Sequence, residues 1–527
     1  MRSVPVSMTW EILRRGRWSI LAATLGAIAF PTIILLSLRH DGGVPAQDKS
    51  MIVMNFVMML VITLCFSAAM YDAQGKVSRL YAYPIRTSTI VAFRLLPAML
   101  IIALQMIFVT MLLNFLYDLR WPIWGPSLLA AVAFASVEAA IWLTEKSTGW
   151  LVVAVTIVGA ILGLWYKSHF GDAFSETQHI WESVTPADAA TMLAFAAVAY
   201  GVAVVAVARN RRGEMPISLG IADWISRFFD RSSNLANRFA GPHHATAWAD
   251  WERKGWAMPF GAVCLLTLGF VVWFFSDRSA ENLFSGLVVG GFTLAILGFI
   301  GGVIHGNTGT NDGDFVMRSF LATRPVSDTD LAKFCVVSAA KSMLLAWSVW
   351  VVAVAFIYGG MFLFGVGNSA RLPTDLGWWY FALTLVTAWI AVGTTMSIGL
   401  AGQSPRTLQI FCVVVAIITA VAIASKFLLS PPAQLLLARA ALIIFEFSIV
   451  AIGTWCFFAA RRRCLIAVST FWLAATIWLA ATTLAAMALP DFSGPRIIGI
   501  LLCAAGLMLV VLPVAAAPLA ISINRHR

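Results

Sequence analysis

Charge is scarce in this sequence. Asp, Glu, Lys and Arg make up 12% of 527 residues, about half the ~25% share of a soluble domain. With 60% hydrophobic residues, the composition excludes a water-exposed globule and predicts an all-α polytopic membrane protein. A phosphate-binding loop is missing too. No G-x-x-x-x-G-K-[ST] occurs, so the chain lacks the backbone cradle and lysine needed to hold and hydrolyse ATP itself. The seven cysteines (Cys65, Cys264, Cys335, Cys412, Cys456, Cys464, Cys503) form no C-x-x-C pair and fall in or beside apolar runs. That odd, unspaced set excludes a disulfide framework and a metal cluster, and predicts small core hydrophobes. Among the seven histidines only His243 and His244 are adjacent; without neighbouring ligands they read as solvent-facing.

What is abundant is long apolar sequence. A hydrocarbon core of about 30 Å needs roughly 20 apolar helical residues. About fourteen runs qualify, near 19–38, 51–71, 90–117, 123–143, 150–166, 189–208, 256–275, 283–304, 335–364, 378–401, 408–425, 440–460, 465–489 and 497–523. The first follows Arg14, Arg15 and Arg17; it is longer than the roughly 7–15 apolar residues of a signal peptide and is expected to be a retained span. With the N-terminus placed inside, the cytoplasmic segments hold 25 of the 36 Lys and Arg and the outer loops 9. This bias predicts an N-in, C-in topology and explains the net charge of +11 without nucleic acid.

The chain also repeats itself. RLYAYPIRTSTIVAFR (79–94) and SFLATRPVSDTDLAKF (319–334) align at an offset of 241, pairing Leu80 with Leu321, Pro84 with Pro325, Ile85 with Val326, Ile90 with Leu331 and Phe93 with Phe334. Trp10 and Trp18 are matched by Trp248 and Trp256, and ARNRR (208–212) by ARRR (460–463). These landmarks predict a first six-span unit (1–212), a linker (213–247), a second six-span unit (248–463) and an additional helix pair (464–527). Two halves entered from the same side are expected to be related by an axis along the membrane normal.

Each island lies on the cytoplasmic side between the second and third span of its half. Proline disfavours helix at the residue before it, so Pro84 and Pro325 predict turns, giving short helix, turn, long helix. Ser327 and Asp330 form an S-x-x-D start signal, and Thr87 is expected to cap the first copy alone. A short helix tightly joined to a span can pass a push on as a tilt; an ordinary solvated loop is the plainer reading.

The order of basic N-terminal segment, two spans, then a segment ending L-x-x-x-P-[IV] before span three resembles type-2 ABC exporter permeases. RLYAYPIR (79–86) and FLATRPVS (320–327) carry the likeness. The resemblance implies a coupling helix that docks on a separate ATP-binding cassette ATPase. Leu80, Tyr83, Pro84, Ile85 and Arg86 would form the first copy, with Leu321, Arg324, Pro325 and Val326 in the second. It further implies no cofactor in this chain, ATP and Mg on the partner, a bacterial inner-membrane location, and possible pairing with itself or another permease. The family also carries short re-entrant helices between spans five and six, for which 167–188 and 426–440 are the candidate stretches; simple loops are the alternative.

Ionisable groups inside spans are expensive and therefore functional candidates. Arg94 and Glu138 sit about 6 to 9 Å into the membrane by helix rise and are expected to pair structurally. Lys341 and Glu446 do not match in depth; either could face a pathway, or Lys341 could snorkel. The linker stretch 219–239 has helical apolar spacing with Arg227, Arg231 and Arg238, which predicts a helix on the membrane surface or an ATPase docking face. The reading is thus an exporter permease driven by a partner ATPase. An ion-coupled secondary transporter, a membrane enzyme acting on lipid or glycan, and an assembly subunit are the rivals.

Overall fold

The computed structural model describes residues 4–40, 49–74, 77–144, 154, 157–162, 165, 184–214, 247–248, 250–252, 254–274, 280–307, 326–363, 379–402, 405–488 and 496–525. Their long helices are, in chain order, α1 (Val4–His40), α2 (Lys49–Gln74), α3 (Thr87–Tyr117), α4 (Trp124–Leu143), α5 (Pro186–Arg211), α6 (Ala257–Phe274), α7 (Ala280–Gly306), α8 (Asp328–Leu363), α9 (Trp379–Leu400), α10 (Pro405–Leu428), α11 (Pro431–Arg462), α12 (Val468–Ala488), α13 (Arg496–Val511) and α14 (Pro513–Arg525). No strand occurs among the described residues. Seven of the helices are long and apolar enough to cross a membrane, eight if α13 and α14 form one broken span bent by 52°. The protein is therefore all-α and multi-pass. Pro513 explains the bend, because it removes one backbone donor and crowds the preceding turn.

Packing divides the chain into two units, residues 1–222 with 404–438, and residues 223–403 with 439–527. In the first unit, α3 buries Val91, Leu95, Ala98, Ile102, Met106, Val109 and Leu113. These are spaced by three or four residues, the seam spacing of packed helices. The opposite stripe, Leu96, Leu100, Leu104, Phe108, Met111 and Phe115, is exposed, as expected of a face turned to lipid tails. Inside this unit Gln105 donates to the Thr24 hydroxyl at 2.7 Å, tying α3 to α1.

In the second unit, α8 buries Ala332, Cys335, Ala339, Met343, Ala346 and Trp350. Each lies 241 residues after a buried position of α3: Val91, Arg94, Ala98, Ile102, Gln105 and Val109. The offset found in the islands thus continues along the buried seams. The tightest packing is α7 on α9. A Cβ on Gly298 would come within 2.7 Å of the Ala388 carbonyl oxygen, one on Gly302 within 2.6 Å of that of Val392, and one on Gly306 within 2.8 Å of that of Met396. Three glycines four apart let two backbones approach, the small-xxx-small device of membrane helices.

Several expectations change here. Thr87 does not cap α3: Arg86 is the cap residue, with extended backbone and no side-chain capping bond, and Thr87 is already helical. The proline turn ends one residue earlier than the Thr signal implied. The second copy follows its signal, with the Asp330 amide donating to Ser327 Oγ at 3.1 Å and Ser327 Oγ donating to the Asp330 carboxylate at 2.6 Å. The stretch 426–440 is no re-entrant loop. α10 runs to Leu428 and α11 starts at Pro431, because prolines in a first helical turn forfeit no bond. Of 167–188, only the end is described: Thr185 and Asp188 form a capping box that starts α5. All seven cysteines are free, but Cys65 and Cys464 are exposed rather than core hydrophobes. The linker helix 219–239 and His243–His244 lie outside the described residues.

Candidate functional site

The island at 79–94 is held at three points. First, α2 ends at Gln74, where helix carbonyls lack partners. The buried guanidinium of Arg94 donates to the Gln74 carbonyl, and Gln74 Nε2 donates back to the Arg94 carbonyl at 3.0 Å. A cation is also the favoured charge at a helix C-terminus.

Second, the chain between these residues turns sharply. A single 3-10 turn spans Val77–Leu80, the Tyr83 amide donates to the Leu80 carbonyl at 3.2 Å, and the Ile85 amide donates to the Tyr83 carbonyl at 2.8 Å. The last bond closes a three-residue turn centred on Pro84, whose ring presets the required φ.

Third, α5 clamps the turn from outside. Arg211 Nη1 donates to the Ile85 carbonyl at 2.6 Å and Nη2 to the Tyr83 carbonyl at 2.7 Å. Its neighbours explain why this arginine does so. Arg209 and Arg212, one helical turn apart, both pair with Glu214, at 3.2 and 2.5 Å, while Arg211 projects from another face. The Arg212 hydrogen bond foremost, and the charges of Arg212 and Arg209, hold the Glu214 carboxyl below its ordinary value. Asn210 Nδ2 donates to the Trp142 carbonyl at 2.8 Å, fixing the same end of α5 to the end of α4. With its backbone so fixed, the turn presents Tyr83 at 54% exposure, together with exposed Pro84 and Arg86, while Leu80 and Ile85 are half-buried.

In the second unit, Leu321, Arg324 and Pro325 lie outside the described residues. Val326, the counterpart of Ile85, is described. Its carbonyl accepts from Arg525 Nη1 at 2.7 Å, and the same nitrogen donates to Asp328 Oδ1 at 2.7 Å. Asn524 Nδ2 donates to the Leu400 carbonyl at 3.0 Å, at the end of α9. Asn210 and Arg211 fall within the landmark ARNRR (208–212), whereas Asn524 and Arg525 belonged to none, although the dipeptide Asn-Arg closes both α5 and α14.

The intramembrane charges separate into two kinds. Arg94 and Glu138 are each 3% exposed, on the packed helices α3 and α4. Lys341 lies on the exposed face of α8. Glu446 is 1% exposed, and neither of its carboxylate oxygens has a hydrogen-bond partner among the described residues. The sequence did not flag Lys254, which pairs with Asp250 at 2.9 Å and donates to the His305 carbonyl at 3.4 Å in the last turn of α7. This lysine does for α7 what Arg94 does for α2. No group of three or more His, Cys, Asp or Glu side chains suited to a metal ion occurs among the described residues. No protein-family model matches the chain, and no curated protein or solved structure matches it either.

Proposed function

We propose that the chain is the membrane subunit of an ATP-driven exporter, with the proline turns as handles gripped by a separate ATPase. One observation carries the reading. The 83–86 turn has its backbone immobilised by α5 while Tyr83, Pro84 and Arg86 stay exposed, the arrangement of a preorganised docking surface. Tyr and Arg are the residue types that dominate protein–protein binding energy, and a rigid loop loses little entropy on docking. Its link to α3, α4 and α5 offers a route from a docked partner into three spans. The finer layout belongs to this proposal: about fourteen spans, two related halves, both termini cytoplasmic, and a bacterial inner membrane. The absent phosphate loop makes a partner with bound ATP and Mg obligatory.

Affinity purification of the tagged chain in mild detergent, followed by mass spectrometry, tests this directly. A P-loop ATPase is expected with the wild type and lost with Arg86→Glu. Wild type that arrives without any ATPase sinks the proposal.

A second reading, ion-coupled transport, is favoured by Glu446, an acid near the middle of α11 without a hydrogen-bond partner among the described residues. It expects transport to collapse with the membrane potential rather than with ATP.

A further inference from the structure

The sequence landmark ARRR (460–463) matches ARNRR (208–212), which makes α11 the sequence counterpart of α5. The contacts say otherwise. α5 ends in Asn210–Arg211, and α14 ends in Asn524–Arg525. The two asparagines bond carbonyls at the ends of α4 and α9, Trp142 and Leu400. The two arginines bond the carbonyls of Ile85 and Val326, residues that are 241 apart and each follow a proline. Two matched bonds from two matched adjacent residues are hard to obtain by chance, because each fixes both the depth and the rotation of its helix.

The packing agrees. α5 lies on α3 and α4, and α14 lies on α8 and α9. Before α5, Leu162 and Trp165 pack on its early turns, with Trp165 and Phe195 rings 5.9 Å apart. Before α14, α12 packs along α13, with Trp478 Nε1 donating to the Ala504 carbonyl at 2.9 Å. α11, by contrast, ends in Arg461 and Arg462, and the bond from just beyond it to the start of α8 is made by a backbone carbonyl, with Thr329 Oγ1 donating to Leu465 at 2.9 Å. α10 lies along α1 in the first unit.

We infer that Asn524 and Arg525 are positioning residues for the chain entering α8 at Val326–Asp328, equivalent to Asn210 and Arg211 at the first turn, and that α10 and α11 are the pair added to the duplicated fold. As structure, it says that α14 grips the start of α8, and Arg525 acts through the Val326 carbonyl and Asp328. The guanidinium bridges a neutral carbonyl and a carboxylate, both charge-assisted contacts and stronger than neutral ones. Both bonds leave Nη1, so a lysine ammonium has the donors for them but lacks the planar guanidinium that holds that nitrogen in place.

Hydrogen–deuterium exchange on the purified full chain tests this without any partner. Arg525→Ala is expected to speed exchange several-fold in peptides covering 326–334 while leaving 80–90 unchanged, Arg211→Ala should do the reverse, and Arg525→Lys should restore part of the protection. Asn524→Ala supplies a milder variant should Arg525→Ala fold poorly, with faster exchange expected at the end of α9. The triple variant Arg461→Ala, Arg462→Ala, Arg463→Ala is expected to leave 326–334 untouched. Unchanged exchange at 326–334 in Arg525→Ala together with unchanged exchange at the end of α9 in Asn524→Ala overturns the inference, as does loss of protection at 326–334 in the triple variant. Loss of the ATPase from wild-type preparations would overturn the proposed function and leave these exchange results standing.

Discussion

Arg211 closes the first turn across 126 positions of sequence, donating from Nη1 to the carbonyl of Ile85 at 2.6 Å. Replacing it with alanine leaves the Ile85 and Tyr83 carbonyls to water, so the loss is that of two charge-assisted bonds at a half-exposed site. About 1.5 to 3 kcal/mol applies to a hydrogen bond with a charged group, and exposure puts this pair toward the lower end. Arg211→Ala is therefore expected to admit protease within 80–86 while lowering the overall melting temperature little. Protection of 80–86 equal to wild type would show that Pro84 alone shapes the turn.

Glu138 and Arg94 make a second case. Both are buried on packed helices, and if they act as the expected pair, removing one charge costs about 3–5 kcal/mol whereas replacing both by apolar groups is far milder. Glu138→Ala is expected to destabilise strongly, and Arg94→Met with Glu138→Leu to recover part of the loss. The recovery is limited because Arg94 also serves the Gln74 carbonyl. Thermal unfolding in detergent reads both, and equal damage from the single and double variants would remove the coupling.

The glycines of α7 offer a paired control. Gly302→Leu must displace the Val392 backbone, whose carbonyl oxygen would lie 2.6 Å from the new Cβ, whereas a Cβ on Gly201 in α5 meets nothing within 4 Å. Gly302→Leu is expected to cost several kcal/mol, beyond the ~1–3 kcal/mol of ordinary overpacking, and Gly201→Ala to stabilise by about 0.5–1 kcal/mol. Comparable melting temperatures for the two variants would contradict the α7–α9 packing.

The seven cysteines report topology without engineering. Cys464 is exposed at the Arg-rich end of α11, while Cys335 and Cys412 are buried. A membrane-impermeant maleimide is expected to label Cys464 in inside-out vesicles only and to spare Cys335 and Cys412 in both orientations. Labelling of Cys464 from the outside would invert the orientation drawn from the Lys and Arg bias.

Most helix positions were legible because apolar length and proline punctuation are local signals. The run at 378–401 became Trp379–Leu400, and that at 123–143 became Trp124–Leu143. The islands were legible as interruptions of that pattern. What holds them was not, because Arg211 and Ile85 meet through tertiary packing and one arginine of a basic cluster after a span reads as an orientation charge. The run ARRR (460–463) matches ARNRR (208–212) as a landmark of span ends, whereas the counterpart inferred from the bonds is a two-residue pattern at the ends of α5 and α14. The close α7–α9 approach was readable in Gly298, Gly302 and Gly306, whose spacing of four places them on one face.

The most direct test of the central claim puts a photo-crosslinking amino acid at Tyr83 in cells expressing the full chain, with Phe115 on the exposed stripe of α3 as the control. The account predicts that position 83 yields a covalent adduct with a P-loop ATPase, that Arg86→Glu abolishes it, and that position 115 yields none. Equal ATPase adducts at both positions, or only lipid adducts at 83, would contradict it.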